Sequence, residues 1–279
     1  MDSVFSSVPL LGLAFLPIIA YAAYGALMWL IGGSQGREEA RRAWARSVVA
    51  SITVAMALMA SVWVGYAVDA YSKTGGRVGS CLSHLSGVAP DLNLYNYAEA
   101  VRKALDCAQR KFQGVFNEMK SLYTAVFYTA TLTGLFPLTA AFSMGLLQVS
   151  MPFSGAASGA FIALGVAKAI AYITAAFVSL MGLGAFLLAS ERLEALGALI
   201  LAVSMVYPAA LAGAADSLSF SAGVLDVIGS AVNWGKLVDY SGDAAAVAAI
   251  IGASLSIATA AVAAATYALT KIPQYFSVE

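Results

Sequence analysis

The stretch GGSQGREEARRAWARS, residues 32–47, stands between two apolar runs that are each long enough to cross a bilayer. It carries Arg37, Arg41, Arg42 and Arg46, four of the 15 basic residues in the chain. Basic residues beside membrane spans stay mainly on the cytoplasmic side, because carrying them across during insertion is unfavourable. The stretch therefore predicts a cytoplasmic turn, with the N-terminus of the chain outside.

Two roles for this basic turn follow from its residues. In a structural role, Glu38 and Arg42 form an i, i+4 pair in a short helix, and the arginines anchor the cytoplasmic side. In a functional role, the four arginines form a ring of positive charge when subunits assemble, and this ring meets phosphates or acidic lipid headgroups. The sequence leaves both roles open.

The composition predicts the class of protein. Of the 279 residues, 61% are hydrophobic and 11% are charged, and the mean hydropathy is +0.82. A water-soluble core of this size does not need so much apolar surface. We therefore expect an all-α, multi-pass protein of the cell membrane. Its formal net charge of zero gives the whole molecule no general attraction for nucleic acid.

Six apolar stretches reach the roughly 20 residues that a helix needs to cross the hydrocarbon layer. They cover residues 9–31, 48–68, 122–147, 161–189, 195–215 and 244–269. Pro137 lies near the middle of the third stretch and predicts a kink there. The spans divide the chain into an N-terminal hairpin (1–70), an extracellular loop (71–121) and a four-helix transmembrane region (122–279).

Two amphipathic stretches lie outside these spans. In the extracellular loop, apolar residues recur in steps of four and three, which predicts a helix from about Tyr97 that continues into the third span. The stripe consists of Val101, Leu105, Ala108, Phe112, Val115, Met119 and Leu122. Between the fifth and sixth spans, residues 217–240 predict a helix along the membrane surface, with a re-entrant segment as the alternative.

Cys81 and Cys107 are the only cysteines and lie in the same hydrophilic loop. In an oxidising compartment this arrangement favours a disulfide, and an external loop would supply that compartment. Two unrelated thiols are the alternative.

Residues that could carry catalysis are sparse. The single histidine, His84, lacks the Cys/His set or HExxH pair that would make it a metal ligand. No GxxxxGK[ST] phosphate loop occurs, so energy for any transport has to come from a partner or a gradient. We expect neither enzymatic activity nor a bound cofactor.

Lys168 is the one charge well inside an apolar run. A charge within the membrane is costly, and this makes Lys168 a functional candidate. The alternative is that its ammonium group extends to the membrane interface.

The first 70 residues resemble the membrane hairpin of type IV secretion pilins and of their polytopic channel subunits. In that pattern a Gly-Gly turn is followed by acidic and basic residues and then by an apolar helix. The matching residues here are Gly32, Gly33, Glu38, Glu39, Arg41 and Arg42. With six spans and one large outer loop, the chain is most similar to the CedA family, polytopic membrane subunits of the archaeal DNA-import system.

This resemblance implies a function and a set of partners. The chain would form a membrane passage for DNA in transit, together with pilin-like small membrane proteins and a separate ATPase. Membrane lipids and further copies of the chain are the other expected partners. An autonomous small-solute transporter or channel is the alternative function, and Lys168 and Pro137 are the residues to test for it.

Overall fold

The computed structural model describes residues 15–73, 78–86, 94–136, 139–188, 193–220 and 234–276. Within these ranges the chain forms eight helices and no strand, which confirms the predicted all-α class. In chain order they are α1 (Leu16–Ile31), α2 (Gly33–Lys73), α3 (Ser83–Ser86), α4 (Leu94–Gly134), α5 (Ala140–Ser179), α6 (Met181–Leu188), α7 (Glu194–Ser217) and α8 (Trp234–Phe276).

Three of the described helices are long and apolar enough to cross a membrane. The qualifying segments are Ser143–Ser179 in α5, the whole of α7, and Lys236–Lys271 in α8, and they contain 18-residue stretches with mean hydropathies of 2.0, 2.0 and 2.1. The 16 residues of α1 are fewer than the roughly 20 that a crossing needs. Three such helices are consistent with a membrane protein.

The helix predicted in the hydrophilic loop is α4, which runs without a break from Leu94 to Gly134. Its predicted apolar stripe is buried, with Phe112 and Met119 fully inaccessible. These side chains belong to the same hydrophobic cluster as buried residues of α5, α7 and α8. The buried face of α4 between Tyr97 and Leu122 is therefore part of the common core.

The third predicted span, residues 122–147, is wrong as a single helix. Helix α4 ends at Gly134 and α5 begins at Ala140. The Thr139 hydroxyl donates to the carbonyl oxygens of Thr133 and Phe136, which closes the end of α4. Hydropathy alone could not show this reversal, because the turn residues are as apolar as the helices that they join.

Helices α4 and α5 form a long antiparallel hairpin. Near its tip the Ser143 hydroxyl donates to the Ala130 carbonyl at 2.8 Å, and at its other end Arg102 donates to the Ser179 hydroxyl at 3.1 Å. Along α5 the buried positions recur every three or four residues, as helix packing requires. They include Phe153, Ala157, Ala160, Leu164, Ala167, Ala171 and Val178.

The fourth predicted span, residues 161–189, corresponds to two helices. Helix α5 ends at Ser179, and α6 begins at Met181 after one intervening residue. The Leu180 N–H still bonds to the carbonyls of Ala176 and Phe177, so the chain stays close to helical there. The predicted span is therefore interrupted only locally, between α5 and α6.

Helix α7 lies at the centre of the fold, between α4, α5, α6 and α8. It is parallel to α4, because the Tyr97 hydroxyl donates to the Ser204 carbonyl at 3.3 Å and Lys111 pairs with Asp216 further along both helices. It is antiparallel to α8, because Tyr207 bonds to Thr259 at 3.0 Å and α8 begins near the end of α7.

Some predictions concern residues that the structure does not describe. Pro137 lies outside the described residues, and so does most of the predicted surface helix, residues 221–233. Residues 234–240 of that predicted helix form the first turns of α8.

Candidate functional site

The arginine stretch is helical throughout, and the turn itself is confined to Gly32 and Gly33. Gly33 has φ +57°, a left-handed conformation that side chains with a Cβ rarely adopt. The structural role described above predicted a short helix in this stretch. The stretch is helical, but it forms the beginning of the 41-residue helix α2. The four arginines, Arg37, Arg41, Arg42 and Arg46, are all exposed.

Small residues form the contact between α1 and this part of α2. Gly36, Ala40, Ala43 and Ser47 are buried at successive steps of four, three and four. The Ser47 hydroxyl donates to the Ile18 carbonyl at 3.1 Å. Such small residues let two backbones approach closely, as in membrane helix pairs.

The arginines therefore lie alongside α1, whereas the sequence had suggested a position beyond its end. The Arg37 guanidinium carbon is 5.4 Å from the centre of the Trp29 ring, and Trp29 stacks on Trp44 at 5.5 Å. Ile18, near the other end of α1, is level with Ser47. An apolar helix and a basic helix thus run side by side over nearly the whole length of α1.

A second polar cluster joins three parts of the chain at the end of α7. The Asp216 carboxylate accepts from the backbone N–H groups of Cys81, at 3.1 Å, and Leu82, at 2.8 Å. It also pairs with the Lys111 ammonium at 2.6 Å, and only 8% of its side chain is exposed. We call Asp216, Lys111 and the two backbone N–H groups the Asp216 junction.

Gly79 belongs to the same arrangement. A Cβ atom at this position would lie 2.2 Å from the Asp216 carboxyl carbon, so only glycine lets the loop approach the carboxylate. Sequence reasoning did not single out Asp216. A signal was present, because a carboxylate in the last turn of a helix is unfavourable beside the negative end of the helix dipole unless it has cationic or N–H partners.

The predicted cysteine pair is formed. The sulfur atoms of Cys81 and Cys107 lie 1.99 Å apart, at bonding distance. The pair connects the loop before α3 to α4, next to the Asp216 junction. At the end of α2, Asp69 pairs with Lys73 at 2.7 Å, and this hydrogen bond raises the pKa of Lys73.

Lys168 makes contacts across the α4–α5 hairpin. Its ammonium group donates to the Gln113 side-chain oxygen and lies 5.9 Å from the centre of the Phe116 ring. Gln113 is less than two turns along α4 from Cys107, so Lys168 and the disulfide share one region of the fold. The four arginines lie elsewhere, at the beginning of α2.

The outer face of α4 carries charges at helical spacing. Glu99, Lys103, Asp106 and Arg110 are all exposed and follow one another in steps of four, three and four. Lys103 pairs with Glu99 at 2.7 Å, and this hydrogen bond lowers the pKa of the Glu99 carboxyl. We call these four residues the α4 charged stripe. It lies opposite the buried stripe of the same helix.

His84 lies in α3, and its side chain is exposed. In the described part of the chain, no group of three or more His, Cys, Asp or Glu side chains could hold a metal ion. The polar groupings that the described side chains form are the arginine segment, the Asp216 junction and the α4 charged stripe.

Comparison of the chain with protein-family models, with curated proteins and with solved structures finds no match.

Proposed function

We propose that this chain is a non-enzymatic channel subunit of a membrane-bound DNA-transfer apparatus, with energy supplied by a separate ATPase. The observation that carries the proposal is helix α2. This one continuous helix begins with the arginine segment and ends just before the disulfide-bonded loop. Apolar residues 48–68 lie between, and they extend about 30 Å at 1.5 Å per residue, the thickness of the hydrocarbon layer.

The two ends of α2 carry the residue types that are typical of the two sides of a cell membrane. Basic residues favour the cytoplasmic side, and disulfides persist on the oxidising outer side. We infer that α2 crosses the membrane with its arginines inside and the Asp216 junction outside.

The directions of the other helices then suggest four crossings, where hydropathy had suggested six. Helix α2 passes outward, α5 with α6 returns, α7 passes outward and α8 returns. Because Trp29 and Ile18 lie level with Arg37 and Ser47, the described part of α1 runs beside the arginines on the inner side. Residues 1–14, for which the sequence predicted an external position, lie outside the described part of the chain.

The inner end of the hairpin supports a role in an assembly. Leu27, Leu30 and Ile31 near the turn are 57%, 81% and 76% exposed. An exposed apolar surface of this kind marks a contact with another protein or with lipid. By the resemblance of the hairpin to secretion-channel subunits, the partner is a pilin-like membrane protein or the ATPase.

The arginines supply the chemistry that DNA requires. Guanidinium groups bind phosphate oxygens with paired hydrogen bonds, and four of them lie at exposed positions in the first part of α2. DNA that leaves the passage on the cytoplasmic side would meet this surface first.

DNA uptake by cells tests this proposal. The variant Arg37→Gln, Arg41→Gln, Arg42→Gln, Arg46→Gln should reduce uptake at least about tenfold, because it removes four phosphate-binding groups. The corresponding Arg→Lys variant, which keeps the charge, and Lys73→Gln at the outer end are the controls. Purification of the tagged chain in mild detergent should recover an ATPase and a small two-span protein. Normal uptake by cells that lack the chain would rule the proposal out.

An autonomous small-solute transporter is the second candidate, and the contact between Lys168 and Gln113 favours it. A cation held between two helices by a neutral amide is a suitable element for coupling solute binding to helix movement. Loss of solute flux from liposomes on Lys168→Met, with flux retained on Lys271→Met, would support this function in preference to DNA transfer.

A further inference from the structure

The α4 charged stripe lies beside a helix that is apolar enough to cross the membrane. Glu99 and Lys103 leave 50% and 60% of their side chains exposed, and Asp106 and Arg110 are exposed further along. Helix α7, against which α4 packs, contains an 18-residue stretch with a mean hydropathy of 2.0. The depth of the stripe relative to α7 therefore decides which medium surrounds it.

Two contacts give this depth. Tyr97, just before the stripe, bonds to Ser204 near the middle of α7. Lys111, just after the stripe, bonds to Asp216 at the outer end of α7. Since the two helices are parallel, the stripe extends over the outer half of α7.

Lipid cannot surround ionised side chains at this depth. A charged group in the hydrocarbon region costs several kcal/mol, and such groups face the protein interior or a water-filled cavity. The stripe does not face the described interior, because its side chains are exposed. The snorkelling that brings a single lysine to the interface does not extend to four alternating charges over three helical turns.

We infer that the outer face of α4 lines a water-filled vestibule, which opens on the disulfide side and reaches about half the depth of the membrane. This inference rests on the membrane arrangement of the proposed function and does not require DNA as the substrate. Glu99, Lys103, Asp106 and Arg110 alternate in sign along the wall. The vestibule therefore accepts water and small hydrophilic solutes of either charge.

Helix α8 provides the contrasting surface at the same depth. Thr259 of α8 bonds to Tyr207 of α7, and the nearby Ile257 is 70% exposed. An isoleucine with this exposure faces lipid without cost. A probe that dissolves only in water should therefore reach the α4 charged stripe and should not reach Ile257.

Cysteine accessibility in the full-length chain tests the inference. Lys103→Cys, Asp106→Cys and Ile257→Cys are made one at a time, and intact cells are treated with a charged, membrane-impermeant maleimide. The native cysteines are bonded to each other and provide an unlabelled blank. Lys73→Cys marks the outer surface. Maleimide reacts with the thiolate, which forms only where water reaches the sulfur.

We expect the cysteines at positions 103 and 106 to react at a rate within roughly tenfold of that at position 73, and at least about tenfold faster than that at position 257. Two positions are used because Lys103→Cys also removes the pair with Glu99. If neither position 103 nor 106 reacts while position 73 does, the stripe is covered and the vestibule does not exist. If position 257 reacts as fast as position 73, the membrane arrangement itself is wrong.

Discussion

At the scale of single residues, Asp216 connects three segments of the described chain. Its carboxylate satisfies two backbone N–H groups of the disulfide loop and the ammonium group of Lys111. Because Asp216 lies on α7 and its partners belong to a loop and to α4, one side chain determines how three segments meet. Gly79 allows the close approach, and the cysteine pair holds the loop in position.

Replacement of Asp216 by alanine should destabilise the protein by about 1–3 kcal/mol, because two backbone N–H groups and the partly exposed ammonium of Lys111 lose their acceptor. Thermal unfolding of the detergent-solubilised protein measures the effect. Asp239→Ala, an exposed carboxylate on α8, is the control and should leave the unfolding temperature unchanged. Equal unfolding temperatures for the two variants would show that the Asp216 junction does not stabilise the fold.

Gly197→Ala should be destabilising by roughly 1–3 kcal/mol. An added Cβ atom would lie 2.3 Å from the Leu188 backbone nitrogen and 2.5 Å from the Gly184 carbonyl oxygen, so α6 and α7 would have to separate. On the same helix, Gly213 has no heavy atom within 4 Å of its added Cβ. Gly213→Ala is therefore a matched control that should be neutral or slightly stabilising. Similar thermal stability of both alanine variants would contradict the close packing of α6 on α7.

At the scale of elements, the α1–α2 hairpin shows how small residues position a charged surface. Gly36, Ala40, Ala43 and Ser47 bring α2 close to α1, and the arginines between them stay exposed, with Arg37 against Trp29 of α1. The stacked pair Trp29 and Trp44 closes one side of the hairpin. The position of the arginines is thus a consequence of the packing of α1.

Ala40→Leu should open this hairpin, because Ala40 is fully buried and the extra atoms have no space. The stacking of Trp29 on Trp44 should be lost, which changes the tryptophan emission of the folded protein. Ala45→Leu adds the same atoms to an exposed position of α2 and should leave the emission unchanged. An unchanged spectrum for Ala40→Leu would mean that α1 does not pack on α2 in this way.

At the scale of the whole molecule, polar groups of different kinds lie at the two ends of α2. The Asp216 junction and the disulfide lie at one end of α2, and the arginine segment lies at the other end. The α4 charged stripe is the exception, since it runs beside α7. The two ends of α2 therefore indicate how the molecule is oriented in the membrane. The stripe indicates where water reaches the protein at membrane depth.

The double variant Cys81→Ser, Cys107→Ser should be less stable by about 3 kcal/mol, because the bond closes a loop of 26 residues in the unfolded chain. Thermal unfolding with and without a reducing agent measures this effect. The reducing agent should lower the unfolding temperature of the native chain and leave that of the double variant unaltered. A double variant as stable as the native chain would show that the Asp216 junction holds the loop by itself.

The sequence by itself determined the helical class, the buried stripe of α4 and the cysteine pair. Each of these depends on local spacing or on residue type. The apolar steps of four and three between Val101 and Leu122 require one buried helical face wherever the helix packs. Two cysteines in one hydrophilic loop have no other partner within the chain.

Only the tertiary structure decided where the apolar stretches break into separate helices. It also decided which groups the polar side chains contact. Residues 122–147 are continuously apolar, yet the chain reverses after Gly134, because hydropathy contains no information on direction. The partners of Asp216 are more than 100 residues away in sequence, so no local pattern connects them. The arginines lie beside α1 because small residues on α2 pack against it, and such packing depends on two helices at once.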